Sequence, residues 1–169
     1  MKFKLGIIGG SGLYNFSELE NKKTISSEPG PFGQASGDIE YGTIDGVEIF
    51  FLPRHGKNHI YSPTNVPYRA NIDTLKRLGC NDIISVSAVG SLKEELSPGR
   101  FVLVDQFVDR TYLRKKTFFD KDIVAHVSVA EPTCKLTAKL VAQSALNSGI
   151  DVVNGGTYLA MEGPQFSSV

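Results

Sequence analysis

Residues 47–52 (VEIFFL) restrict the fold of this chain more than any other stretch, because they form an apolar run broken only by Glu48. Asp45-Gly46 precedes it, and before that comes a second six-residue run, 39–44. An Asp-Gly pair between two strand-like runs supplies the positive φ of a two-residue hairpin turn, so the two runs are expected to pair antiparallel. The run 47–52 ends at Pro53 and is followed by Arg54-His55-Gly56-Lys57-Asn58-His59, which gathers two of the three histidines, an arginine and a lysine. A strand that ends in a Pro/Gly-shaped loop of cationic donors is how an α/β protein presents an anion site. Taken alone, the stretch also fits a solvated basic turn.

The rest of the chain follows the same alternation. Residues 3–8 predict a strand running into Gly9-Gly10-Ser11-Gly12, where glycines let the backbone turn tightly and bring its N–H groups close to a ligand. Residues 21–37 are polar and rich in Ser, Pro and Gly, and predict a loop. The excursion 53–67 is long for a connection without structure, which points to a functional loop. Tyr68, Ile72, Leu75 and Leu78 recur at helical spacing, with Gly79 as the stop. A buried strand is expected from residue 83, ending in the small residues of Ser85-Val86-Ser87-Ala88-Val89-Gly90-Ser91. Further strands are expected at 101–104, 123–129, 150–153 and after Gly156, with a charged, aromatic loop at 107–122. Residues 132–147 predict a second helix, with Leu136, Leu140, Val141 and Ala145 on one face and Gly149 at its end. The expectation is an α/β fold: a mixed β-sheet flanked by helices, as one domain over residues 1–169. The chain ends in a Gly-Pro-Ser stretch where a further loop and helix would be expected, so it reads as the N-terminal part of a longer domain.

Charge narrows the partners. Eighteen basic residues balance eighteen acidic ones, so no global field draws in nucleic acid or an anionic membrane, and any affinity for anions must be local. Cys80 and Cys134 show neither a disulfide framework nor metal spacing, and are expected to be small buried hydrophobes in a reducing, cytoplasmic compartment.

Three places bring small residues or cationic donors to the end of an apolar strand: Gly9-Gly10-Ser11-Gly12, Arg54-His55 and Ser87-Ala88. In parallel α/β sheets such ends converge on one crevice, and these donors together make a plausible phosphate cradle. Other chemistries fit less well. A dinucleotide fingerprint would need a third glycine where Asn15 stands, and a Walker loop would need Gly-Lys-Ser/Thr. A serine elbow would need glycine where Leu13 stands. Metal binding by His55 and His59 would need a helix that Pro53 and Gly56 argue against, so no metal site is expected. Glu131 and Glu162 are candidate acids, although Glu131 suits the start of the second helix.

Taken in order, Gly6-Ile7-Ile8-Gly9-Gly10-Ser11-Gly12-Leu13, Arg54-His55-Gly56, Tyr68-Arg69-Ala70-Asn71-Ile72, Gly90-Ser91-Leu92, Asp105-Gln106-Phe107-Val108-Asp109-Arg110-Thr111 and Glu162-Gly163-Pro164-Gln165-Phe166-Ser167-Ser168 resemble the purine nucleoside phosphorylase superfamily, in its S-methyl-5'-thioadenosine phosphorylase branch. The resemblance implies reversible phosphorolysis of a purine nucleoside, with inorganic phosphate as co-substrate, no metal or organic cofactor, and a homotrimer. It implies a phosphate site of Ser11, Arg54, His55, Ser87 and Ala88, with Arg54 and His55 nearest the chemistry. It places Phe166 and Ser167 at the nucleoside, and His126 at the substrate's 5' end in a neighbouring subunit's site. The family's purine-holding aspartates have no counterpart here. A 6-oxopurine or methylthioinosine preference, and an inactive truncated fragment, therefore stay open beside the methylthioadenosine reading.

Overall fold

The computed structural model describes residues 3–10, 13, 18–163 and 165. They fall into two compact units, one built mainly from residues 3–88 and the other mainly from residues 89–162. Ser11, Phe166 and Ser167 lie outside the described residues.

The first unit holds a five-stranded mixed sheet. Its strands are β1 (Lys4–Gly9), β2 (Glu20–Ile25), β3 (Ile39–Ile44), β4 (Val47–Pro53) and β5 (Asp82–Ser85), in the order β2-β3-β4-β1-β5. The expected hairpin forms: β3 and β4 pair antiparallel, and Asp45 and Gly46 turn the corner at φ 48° and 78°. β1 runs parallel between β4 and β5, pairing Gly9 with Pro53 on one side and Ile8 with Ser85 on the other. Ile49 to Leu52 are all buried, as an internal strand covered on both faces requires.

Two expectations in this unit need correcting. Residues 21–37 are not loop throughout, since β2 occupies the start of that stretch and pairs antiparallel with β3. Its sequence, ENKKTI, is almost wholly exposed. Edge strands protect themselves with lysines in this way, and the same lysines made the segment read as a loop.

The helix α1 (Tyr68–Arg77) forms as expected, and Gly79 follows it at φ 85°. Its buried face is shifted from the one predicted: Leu75 faces inward and Leu78 packs against the core as expected, but Ala70, Asn71 and Thr74 join them while Ile72 is exposed. Leu75 joins Ile8, Ala35, Ile39, Phe50 and Leu52 in the core. A polar residue, Asn71, therefore takes an inward place that apolar periodicity had given to isoleucine.

The second unit contains two parallel ladders. β6 (Phe101–Leu103) pairs with β8 (Val152–Asn154), and β7 (Gln106–Asp109) pairs with β9 (Thr157–Ala160). The helix α2 (Lys135–Asn147) lies between them in sequence. The predicted start at Pro132 shifts to Lys135, with Cys134 as the capping residue. Val141 and Ala145 are half-buried, while Leu136 and Leu140 are exposed. The predicted strand at 123–129 is absent, and that stretch, His126 included, is exposed irregular chain. The loop predicted at 107–122 begins instead with β7, too short a strand to show a period in sequence, and is irregular chain from Arg110 on. Cys80 is half-buried and Cys134 exposed, so only the first approaches the buried role expected of both. Among the described residues, no helix is long and apolar enough to cross a membrane.

Candidate phosphate site

The site grows out of the sheet's central order, β4-β1-β5. Adjacent parallel strands end side by side, so whatever follows each one shares a rim. Two backbone bonds carry the ladders one residue past the strands. The Arg54 N–H donates to the Gly9 carbonyl at 2.9 Å, and the Val86 N–H donates to the Ile8 carbonyl at 2.9 Å. Arg54, Gly10 and Ser87 are thereby brought together.

The Arg54 side chain spans this rim. Its Nη1 donates to Ser87 Oγ, and its Nε donates to His55 Nε2 at 3.3 Å. Its Nη2 lies beside Gly10: a Cβ placed on that glycine would sit 3.7 Å from it. Among the described residues no carboxylate pairs with this guanidinium. A half-buried arginine without a carboxylate partner keeps its charge available for an anion. Ala88 follows Ser87 beyond the end of β5 and is exposed.

His55 is buried, at 7% exposure. Its Nδ1 lies 2.8 Å from the Tyr61 carbonyl, so the hydrogen sits on Nδ1 and is donated there. In the neutral ring, Nε2 is then the acceptor, which matches the donation it receives from Arg54. The ring of His59 stacks on that of His55, with centroids 4.3 Å apart at 14°. Asn58 and His59 reach this place through positive φ, 65° and 56°.

Burial pushes the His55 imidazole below its ordinary value, the Tyr61 carbonyl opposes that shift, and the charges of Arg54 and His59 add to it. The folded ring thus binds its proton less readily than the unfolded one. Its contribution to stability is fully present above the ordinary histidine range and is lost as pH falls through the lowered value. In an NMR titration, His55 is expected to have a midpoint below 6.5, and the denaturation midpoint to fall across the same range. A His55 resonance titrating at or above 6.5 would contradict this account.

The structure brings Arg54, His55 and Ser87 together on one rim, with Ala88 next in the chain after Ser87. Sequence reasoning missed the Tyr61 carbonyl, the stacking of His59 and the approach of Arg54 to Gly10. His126 belongs to the second unit.

The chain was compared with known proteins. The model of the phosphorylase superfamily matches residues 4–169. An S-methyl-5'-thioadenosine phosphorylase of Cereibacter sphaeroides is 54% identical over 169 residues, covering 100% of this chain and 58% of that protein. One from Pyrococcus abyssi is 47% identical, covering 98% of this chain and 63% of the relative. A crystal structure of methylthioadenosine phosphorylase from an antarctic soil metagenomic library superposes with a TM-score of 0.91 at 45% identity, covering 99% of this chain and 59% of the other. The Schistosoma mansoni methylthioadenosine phosphorylase in complex with tubercidin gives 0.90 at 37% identity, covering 99% and 66%. The chain thus spans less than two thirds of the length of the relatives it matches.

Proposed function

The chain belongs to the phosphorylase superfamily, and on that premise we propose that it carries the phosphate-holding part of a purine nucleoside phosphorylase that acts on S-methyl-5'-thioadenosine. The observation that carries this reading is the rim at the ends of β4, β1 and β5. There Arg54, with Ser87 and Gly10 beside it, presents a guanidinium that has no carboxylate partner among the described residues. The names of the relatives supply the substrate.

The reaction transfers a pentosyl group. The bond from C1' of the sugar to the purine nitrogen breaks, an oxygen of monohydrogen phosphate bonds to C1', and the proton that the phosphate gives up balances the one the departing purine gains. Loss of the base gives the sugar cationic character, so a dianion held beneath C1' stabilises the transition state and also serves as nucleophile. Arg54 would hold that dianion through its fork of N–H donors. Ser87 would donate its hydroxyl, and Ser11 and the Ala88 N–H would complete the cradle. His55 would steady the guanidinium through Nε2, and once protonated it would donate to phosphate instead. Phe166 and Ser167 would meet the nucleoside, with His126 at the 5' end of a neighbour's substrate. A homotrimeric, cytoplasmic enzyme that works without metal or organic cofactor completes the reading, on the family resemblance alone.

Calorimetric titration with inorganic phosphate, then with S-methyl-5'-thioadenosine, tests the proposal. Saturable heat with phosphate, lowered by competing sulfate, is the expected result. Heat with neither ligand overturns it.

A further inference from the structure

Two buried polar side chains stand just behind the rim, and no phosphate role has been assigned to them. Ser36, in the loop between β2 and β3, is 4% exposed, and Asn71, on α1, is 2% exposed. They form a relay: Asn71 Oδ1 accepts from the Ser36 N–H at 2.8 Å, and Ser36 Oγ donates to the Pro53 carbonyl at 2.7 Å.

The end point of that relay matters. Pairing of β3 with β4 reaches Phe51 and goes no further, so past that residue β4 has lost its neighbour on one side. Ser36 supplies a bond on Pro53 instead. A proline has no N–H, so its carbonyl is the backbone group through which it can be held. Pro53's carbonyl also accepts from the Gly56 N–H at 3.0 Å, which uses both of its lone pairs. The next N–H, that of Arg54, donates to Gly9 at 2.9 Å. Both polar ends of the Pro53–Arg54 peptide are therefore pinned. A peptide unit is planar, so pinning both ends fixes its rotation and with it the direction in which the Arg54 side chain leaves the backbone.

We propose that Ser36 and Asn71 are positioning residues for the phosphate grip. Asn71 fixes Ser36, Ser36 fixes the Pro53–Arg54 peptide, and that peptide aims Arg54 and seats His55. The inference rests on the reading of Arg54 and His55 as phosphate-holding groups. It also explains why α1 turns Asn71 inward where an apolar residue would pack more simply.

The test titrates inorganic phosphate into the wild-type chain and into Ser36→Ala, Ser36→Thr, Asn71→Ala and Arg54→Ala, and follows the His55 imidazole by NMR without phosphate. Loss of one buried hydrogen bond is expected to weaken phosphate binding about tenfold in Ser36→Ala and Asn71→Ala. Ser36→Thr keeps the hydroxyl and should recover most of that affinity. The His55 midpoint in Ser36→Ala should move toward the ordinary histidine value as the ring loses its seat. If Asn71→Ala fails to fold, the two Ser36 variants carry the comparison. Wild-type affinity in Ser36→Ala, with binding lost in Arg54→Ala, overturns the relay and leaves the site standing. Equal loss in Ser36→Ala and Ser36→Thr, with His55 unmoved, also overturns it, because the hydroxyl would then be irrelevant. Equal phosphate binding by wild type and Arg54→Ala, or no binding by wild type, defeats the site itself and the relay with it.

Discussion

Arg54→Ala is expected to lower phosphate affinity by about 100-fold, on the order of 3 kcal/mol, while the chain stays folded. Among the described residues of the rim the guanidinium alone offers a charge with a fork of donors, and it is already oriented by Ser87 and His55. Removing it takes away both the charge and the two-point geometry, and neither His55 nor Ser87 can replace them. His55 is neutral by burial near neutral pH, with its Nδ1 hydrogen committed to Tyr61. Ser87 contributes a single hydroxyl. Arg54→Lys should fall between the two, because a lysine keeps the charge but offers a point in place of a fork. The two losses are separable by salt: affinity lost through charge changes its ionic-strength dependence, and affinity lost through geometry does not. Unchanged phosphate binding in Arg54→Ala would remove the basis for the site.

Much of this site could be read in the sequence because its parts are local. An apolar run ending at Pro53 and a strand running into Gly9-Gly10 are each signals contained within a few residues, and parallel strands do the rest by ending together. The Asp45-Gly46 turn fixed the β3–β4 register in the same local way. What escaped was long-range. Ser36 is 17 residues from Pro53 and 35 from Asn71, and nothing in a single sequence pairs a loop serine with a helix asparagine. Asn71 did leave a trace, since positions 71, 74, 75 and 78 form a helical stripe as regular as the apolar one. A purely hydrophobic count discards it, because two of those four positions are polar. β2 escaped for a related reason: a strand that must discourage further pairing uses the residues that mark loops. β7 escaped because a strand of four residues that opens a charged, aromatic stretch carries too little pattern to be told from irregular chain.

The relay and the grip meet at Gly56, and Gly56→Ala is expected to be the most damaging single change at the rim. Gly56 sits at φ 75°, ψ 167°, a region of backbone space used almost exclusively by glycine. A Cβ there would also lie 2.8 Å from the Ser36 carbonyl oxygen and 3.0 Å from the Ile60 side chain. The first of these is backbone and cannot swing away, so the loop carrying Ser36 must move as a whole. Strain and clash together should cost about 2–4 kcal/mol of stability, measured as a lower denaturation midpoint. Gly46→Ala provides the control. Gly46 also has positive φ, 78°, but an added Cβ there meets nothing within 4 Å. Only the conformational cost of about 1 kcal/mol applies at that turn. The difference between the two variants reports the added strain and crowding at Gly56, of which the contact with the Ser36 carbonyl is the shortest. Phosphate affinity should separate them further. Gly46→Ala leaves the Pro53–Arg54 peptide pinned and should bind as wild type does. Gly56→Ala displaces Ser36 and distorts the turn whose N–H holds Pro53, so it should bind more weakly than Ser36→Ala. A Gly56→Ala chain that unfolds and binds phosphate like Gly46→Ala would mean that neither the turn nor Ser36 controls where Arg54 points.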